Sequence, residues 1–124
     1  MAETYGWVGL VPGAGYLEAD LELDAAPWVQ HLQSGYRAVW SVAGLERGRL
    51  GDPMSGPVIL LDEDRVAIAP GGTSRVAIHP LNPSLWRGIA PGTELVMRAR
   101  GGRRLGHATI RRLVGDAPWA HSVD

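Results

Sequence analysis

The chain contains no cysteine. That excludes disulfide bonds and thiolate chemistry, and it removes redox environment as a clue to compartment. Lysine is missing too, so all twelve basic side chains are arginine. A GC-rich coding sequence, which also favours Ala, Gly, Val and Pro, accounts for that bias but not for where the arginines fall. No apolar run approaches the roughly 18–20 residues that a membrane-spanning helix needs. The first thirty residues hold neither lysine nor arginine, so the charged start of a secretory signal is lacking. The expectation is a soluble, cytoplasmic protein. Catalytic and ligand-binding motifs are equally sparse. No glycine-rich loop ends in a lysine, which excludes a P-loop, and no serine sits in a nucleophile elbow. His31, His79, His107 and His121 have no metal-ligand spacing. The sequence therefore predicts no enzyme, no cofactor and no metal.

What is present is period-two alternation. A chain of 124 residues is long enough for one domain with its own core. Leu17, Ala19, Leu21 and Leu23 alternate with Glu18, Asp20, Glu22 and Asp24, which reads as a half-buried strand with a solvated acidic face. Carboxylates at this spacing can serve acid–base chemistry, but nothing in the sequence drives their pKa values apart. Asp24 to Gln33 reads as a loop anchored by Trp28. Gly35-Tyr36-Arg37 opens a strand with Ala38, Trp40 and Val42 inward and Arg37, Val39 and Ser41 outward. Leu45 to Pro57 reads as a loop, Pro57 to Leu61 as a fully apolar strand, and Asp62-Glu63-Asp64 as a turn.

Residues 65–114 organise the rest. Val66 and Ile68 begin an alternation that Pro70-Gly71-Gly72 interrupts, and Ala69–Gly72 reads as a type II turn because proline presets φ at its second position. Val76 and Ile78 resume the pattern until Pro80. Pro91-Gly92 repeats the turn before Leu95, Met97 and Ala99. Gly101-Gly102, flanked by Arg100 and Arg103, reads as a two-residue hairpin of the primed type, with Leu105 to Val114 returning. Six or seven strands with turns every eight to twelve residues predict a small antiparallel sandwich or barrel. The domain spans residues 16–115, with an N-terminal arm over 1–15 and a C-terminal tail over 116–124.

The net charge of −1 hides an asymmetry: five acids and no arginine in residues 1–36, but nine arginines and only Glu94 in 65–115. Arg98, Arg100, Arg103 and Arg104 gather at the last hairpin, and Arg111 and Arg112 follow. Such a patch can neutralise phosphates or meet an acidic protein surface, or simply solvate an edge hairpin. His79 and His107 read as outward-facing polar residues.

Three blocks then resemble a known family. Gly35-Tyr36-Arg37, Pro70-Gly71-Gly72 through Ile78-His79-Pro80, and Gly101-Gly102-Arg103 with Leu105-Gly106 stand in the order and spacing of the C-terminal β-barrel domain of bacterial elongation factor Tu. The resemblance covers about Tyr16 to Val114. It implies a six-stranded antiparallel Greek-key barrel without catalytic activity. It also implies contact with the T-stem backbone of tRNA near Val39, Ser55, His79, Arg100 and Gly101, with Arg98, Arg103 and Arg104 adding charge. Ser55 replaces a threonine, Val39 a glutamine and Arg100 a glutamate of the family pattern; the GTPase domain and the second barrel are missing. Two functions stay open. One is binding to tRNA or other structured RNA; the other is docking to a protein such as a GTPase or exchange factor.

Overall fold

The computed structural model describes residues 15–44, 54–62, 64, 66–81, 86 and 88–115. It consists of strands β1 (Tyr16–Leu23), β2 (Leu32–Gln33), β3 (Tyr36–Val42), β4 (Met54–Leu60), β5 (Ala67–Ile68), β6 (Thr73–Ile78), β7 (Glu94–Arg98) and β8 (Arg104–Val114). Six of them close into a barrel in the order β1-β6-β4-β3-β7-β8, with every neighbouring pair antiparallel. β3, β4 and β6 follow one another as neighbours and β1 lies beyond β6, which is Greek-key order. β2 and β5 pair only with each other, outside the barrel. The expected arm and tail lie outside the described residues, apart from Gly15.

Alternation builds the core as the sequence predicts. Leu17, Ala19, Leu21, Leu23, Ala38, Trp40, Val76 and Ile78 all point inward and are buried. The Trp40 indole donates a hydrogen bond to the Gly56 carbonyl at 3.0 Å, so its one polar atom is satisfied inside the core. Trp86, which the sequence pattern does not single out, is fully buried in the same cluster. Both type II turns form, with Gly72 N donating to Ala69 O at 2.8 Å and Thr93 N to Ala90 O at 3.0 Å.

Three sequence expectations change. The segment Met54 to Pro57, read as loop, is the first half of β4; Pro57 brings no N–H to the ladder, and its carbonyl accepts from His79 N at 3.2 Å. Val66 is 85% exposed and outside any strand, so the predicted Val66–Ile68 run shrinks to the two residues of β5. In the Asp24–Gln33 loop it is Val29 and Leu32 that are buried. Trp28 remains half exposed and is tethered through its ring nitrogen, which donates to Arg104 O at 3.1 Å.

Candidate nucleic-acid interface

The barrel order places the acidic strand β1 between β6 and β8, the two strands that carry Arg75, Arg111 and Arg112. Glu18 Oε2 receives Arg75 Nη1 at 3.1 Å, and its Oε1 receives Arg112 Nε at 2.5 Å. Asp20 accepts from Arg75 Nε at 3.2 Å and from Arg111 Nη1 at 2.8 Å. Glu22 faces the His107 ring at 3.5 Å, and Asp24 takes Arg104 Nε at 2.9 Å. The face read as solvated acid is therefore an internally neutralised ladder. Glu18 is not solvated at all: although it lies on the outer side of β1, the guanidinium groups cover it and leave 6% exposed. The hydrogen bond from Arg112 holds its carboxyl below the usual carboxylate range, and Arg111 does the same for Asp20.

A bulge makes this ladder possible. Opposite Glu18 and Ala19 the register of β8 skips from Arg112 to Ile110, leaving Arg111 as the extra residue. Strict alternation would drive one of two consecutive arginines into the core, where an unpaired charge is prohibitively costly. The bulge instead turns both outward, where each meets a carboxylate of β1.

The opposite side of the barrel has no such compensation. Ser55 of β4 pairs in register with Val39 of β3, and Val39 with Arg98 of β7, so the three form one cross-strand row. Arg37 stands two residues from Val39 on the same outer face, and Arg100 and Gly101 are exposed at the tip of the adjoining hairpin. Among the described residues, Arg37 and Arg100 have no ion-pair or hydrogen-bond partner, and none of Arg37, Arg98, Arg100 and Arg103 is paired with a carboxylate. Arg98 Nη1 donates to Gly102 O at 3.1 Å, and the Arg103 guanidinium lies 5.1 Å from the Trp28 ring.

Sequence-predicted residues thus divide. Ser55, Arg98, Arg100 and Gly101 come together, with Arg103 nearby on the same hairpin. Arg104 is engaged with Asp24 and lies 3.3 Å from His107 Nδ1, on the neutralised side. His79 follows β6 next to Pro57, but it is half-buried rather than an open surface group. Its ring packs against Tyr16 with centroids 5.3 Å apart, and burial pushes its pKa down to about 4. Near neutral pH it therefore presents an uncharged imidazole.

The hairpin itself differs from its expected type. Ala99 O accepts from Gly102 N at 2.8 Å, and Ala99 N donates to Arg103 O at 2.8 Å. Arg100 and Gly101 are thus the central turn residues, and Gly102, at φ +99°, is the left-handed residue that follows. Gly101 has no positive φ, which a primed turn would require of it. This is a three-residue connection, and it aims Arg100 outward from the turn tip.

No protein-family model matches the chain, and no curated protein matches it. Among the described residues no group of three His, Asp or Glu side chains is placed to hold a metal ion. Arg37, outside the predicted hairpin set, joins the interface only through β3–β7 pairing, for which no local sequence signal exists.

Proposed function

We propose that the Ser55–Val39–Arg98 row across β4, β3 and β7, with the exposed Arg37 and the 99–103 turn, binds the sugar–phosphate backbone of structured RNA. This would be the role that the resemblance to the C-terminal barrel of elongation factor Tu implies. The observation that carries the reading is the partition of charge. Arg75, Arg104, Arg111 and Arg112 are committed to carboxylates, whereas Arg37, Arg98, Arg100 and Arg103 are not. Uncommitted guanidinium groups on the same face as the Ser55 hydroxyl suit phosphate and ribose, while an A-form major groove is too narrow for side chains to read. Of the acidic face that would favour protein docking, Glu18, Asp20 and Asp24 are already paired with arginines within the chain.

Fluorescence anisotropy with a tRNA and a plain RNA hairpin over a salt series tests this. About three neutralised phosphates give a log–log slope of roughly −2 to −3, borrowing the duplex rule. Arg37→Ala with Arg100→Ala flattens the slope by up to about two units and weakens all duplex sequences alike. Arg111→Ala with Arg112→Ala leaves it unchanged. No binding near about 50 mM salt, or a slope unmoved by the first pair, would overturn the reading and leave a protein partner.

A further inference from the structure

A cleft of about 560 Å³ opens at the end of the barrel beside this hairpin. One wall is the segment Gln30 to Ser34, which includes β2; the others are Trp28, Tyr36, and Ala99 with Leu105 of the last hairpin. β2 pairs on one side only, with β5, and no β5 residue lines the cleft. We infer that this cleft holds one unpaired nucleotide, its base against Trp28 and its phosphate at Arg103. The inference rests on the RNA reading above and extends it to a second, single-stranded element of the same ligand.

Size and chemistry converge on that ligand. The volume lies within the range of about 300–1,000 Å³ typical of small-molecule sites, ample for one base and its ribose. Trp28 leaves 47% of its surface open, and Tyr36 stands on the same cleft, giving the aromatic surface on which an unstacked base settles. Gln30 and Gln33 are both exposed, and each carboxamide offers a donor and an acceptor, the pattern needed to pair with a base edge. Among the described residues no carboxylate lines the cleft, and the neighbouring Asp24 is held by Arg104. Arg103 does not itself line the cleft, but its guanidinium lies over the ring of the lining residue Trp28, 5.1 Å from the centroid, and has no carboxylate partner among the described residues. A cleft that combines a half-exposed indole, two carboxamides and an arginine stacked on that indole without a carboxylate partner favours an anionic, aromatic, hydrogen-bonding ligand. A nucleotide is all three. Because Arg100 and Arg103 belong to one turn, a duplex lying on the β4–β3–β7 face would present its single-stranded end to this cleft.

The test compares two RNAs on the full ¹⁵N-labelled chain: a blunt hairpin, and the same hairpin with a four-nucleotide 3′ adenylate overhang. The overhang should raise affinity about tenfold, as one stacked base does, and shift the amides of Gln30 to Ser34. Trp28→Ala should abolish that gain. Gln33→Ala, on an exposed side chain, should reduce the gain without the packing change that Trp28→Ala risks. A gain under twofold, or one that survives both substitutions, would overturn the assignment. If neither hairpin binds, the backbone reading fails by itself, and tetra-adenylate alone decides the cleft. Shifts confined to Gln30–Ser34 would sustain the nucleotide site, and silence would refute it. A response of the same amides to a glutamate-rich pentapeptide but not to tetra-adenylate would also refute it, in favour of a protein ligand.

Discussion

At the scale of single residues, His79 shows how position modifies chemistry. Tyr16 and the strand end around it remove the imidazole from water, which disfavours its charged form and pulls its pKa to about 4. In the unfolded chain the ring titrates at its ordinary value of 6.5. Between these values only the unfolded state takes up the proton, so stability falls as pH drops through this window and does not change above it. The expected loss from pH 7 to pH 5 is about 1–2 kcal/mol. Glu18 and Asp20 act in the same direction, but only at lower pH, because their folded pKa values are depressed below the ordinary carboxylate range. Urea unfolding of the wild type and His79→Gln at pH 7 and pH 5 separates the two contributions. The variant should lose most of the pH dependence in that interval; an equal dependence in both proteins would show that His79 is not its source.

Among the elements, the last hairpin is where turn chemistry decides how arginine is displayed. A primed two-residue turn would need left-handed φ at Gly101, whereas of the two glycines only Gly102 has it, at +99°. A Cβ at either Gly101 or Gly102 would meet nothing within 4 Å, so backbone conformation alone distinguishes them. Gly102→Ala should therefore destabilise by about 1 kcal/mol, and Gly101→Ala should be neutral or slightly stabilising. Thermal unfolding of the two variants measures this, and equal losses would restore the primed turn. A different constraint acts at Gly106, where a Cβ would fall 2.3 Å from Glu22 O. There the requirement is close approach of β8 to β1, the contact that helps bring Asp24 and Arg104 together.

For the whole molecule, β1 is the strand across which the barrel closes, since it pairs with both β6 and β8. Its carboxylates reach arginines contributed by both neighbours, so charge pairing and barrel closure are one event. Most of these pairs are exposed and each contributes about 0–1 kcal/mol. Glu18 is the exception, with two arginines on it and its side chain 8% exposed. Glu18→Gln should cost about 1–3 kcal/mol, because it leaves a shielded, half-satisfied group under two guanidiniums. Glu22, 57% exposed and 3.5 Å from His107, should tolerate the same change within about 0.5 kcal/mol. Chemical denaturation at pH 7 tests the contrast, and comparable losses at both positions would contradict the covered environment of Glu18.

Alternation along Leu17–Leu23, Ala38–Trp40 and Val76–Ile78, with proline–glycine turns between, was enough to specify strands, their inward faces and an all-β sandwich or barrel, whereas closure into six strands was implied only by the family resemblance. Period-two patterning is a local property, since each strand's own side chains decide which face water rejects. Arg98, Arg100, Gly101 and Arg103 were likewise legible as a charged hairpin, because turn residues and clustered charge are read along the chain, whereas Ser55 was singled out by the family resemblance alone. Strand order is not local, and with it went every question of which charge meets which. The sequence separates five acids from nine arginines as if they were opposed regions. Only the placement of β1 between β6 and β8 converts that separation into ion pairs. The same placement buries Glu18 and commits Arg104, Arg111 and Arg112 to carboxylates, while Arg37 and Arg100 have no partner among the described residues. The Arg111 bulge and the half-burial of His79 belong with these, since both depend on the neighbour across the sheet rather than on the residue before or after. Electrostatic interaction decays with distance in space, so the pattern of uncompensated charge was decided by tertiary structure alone.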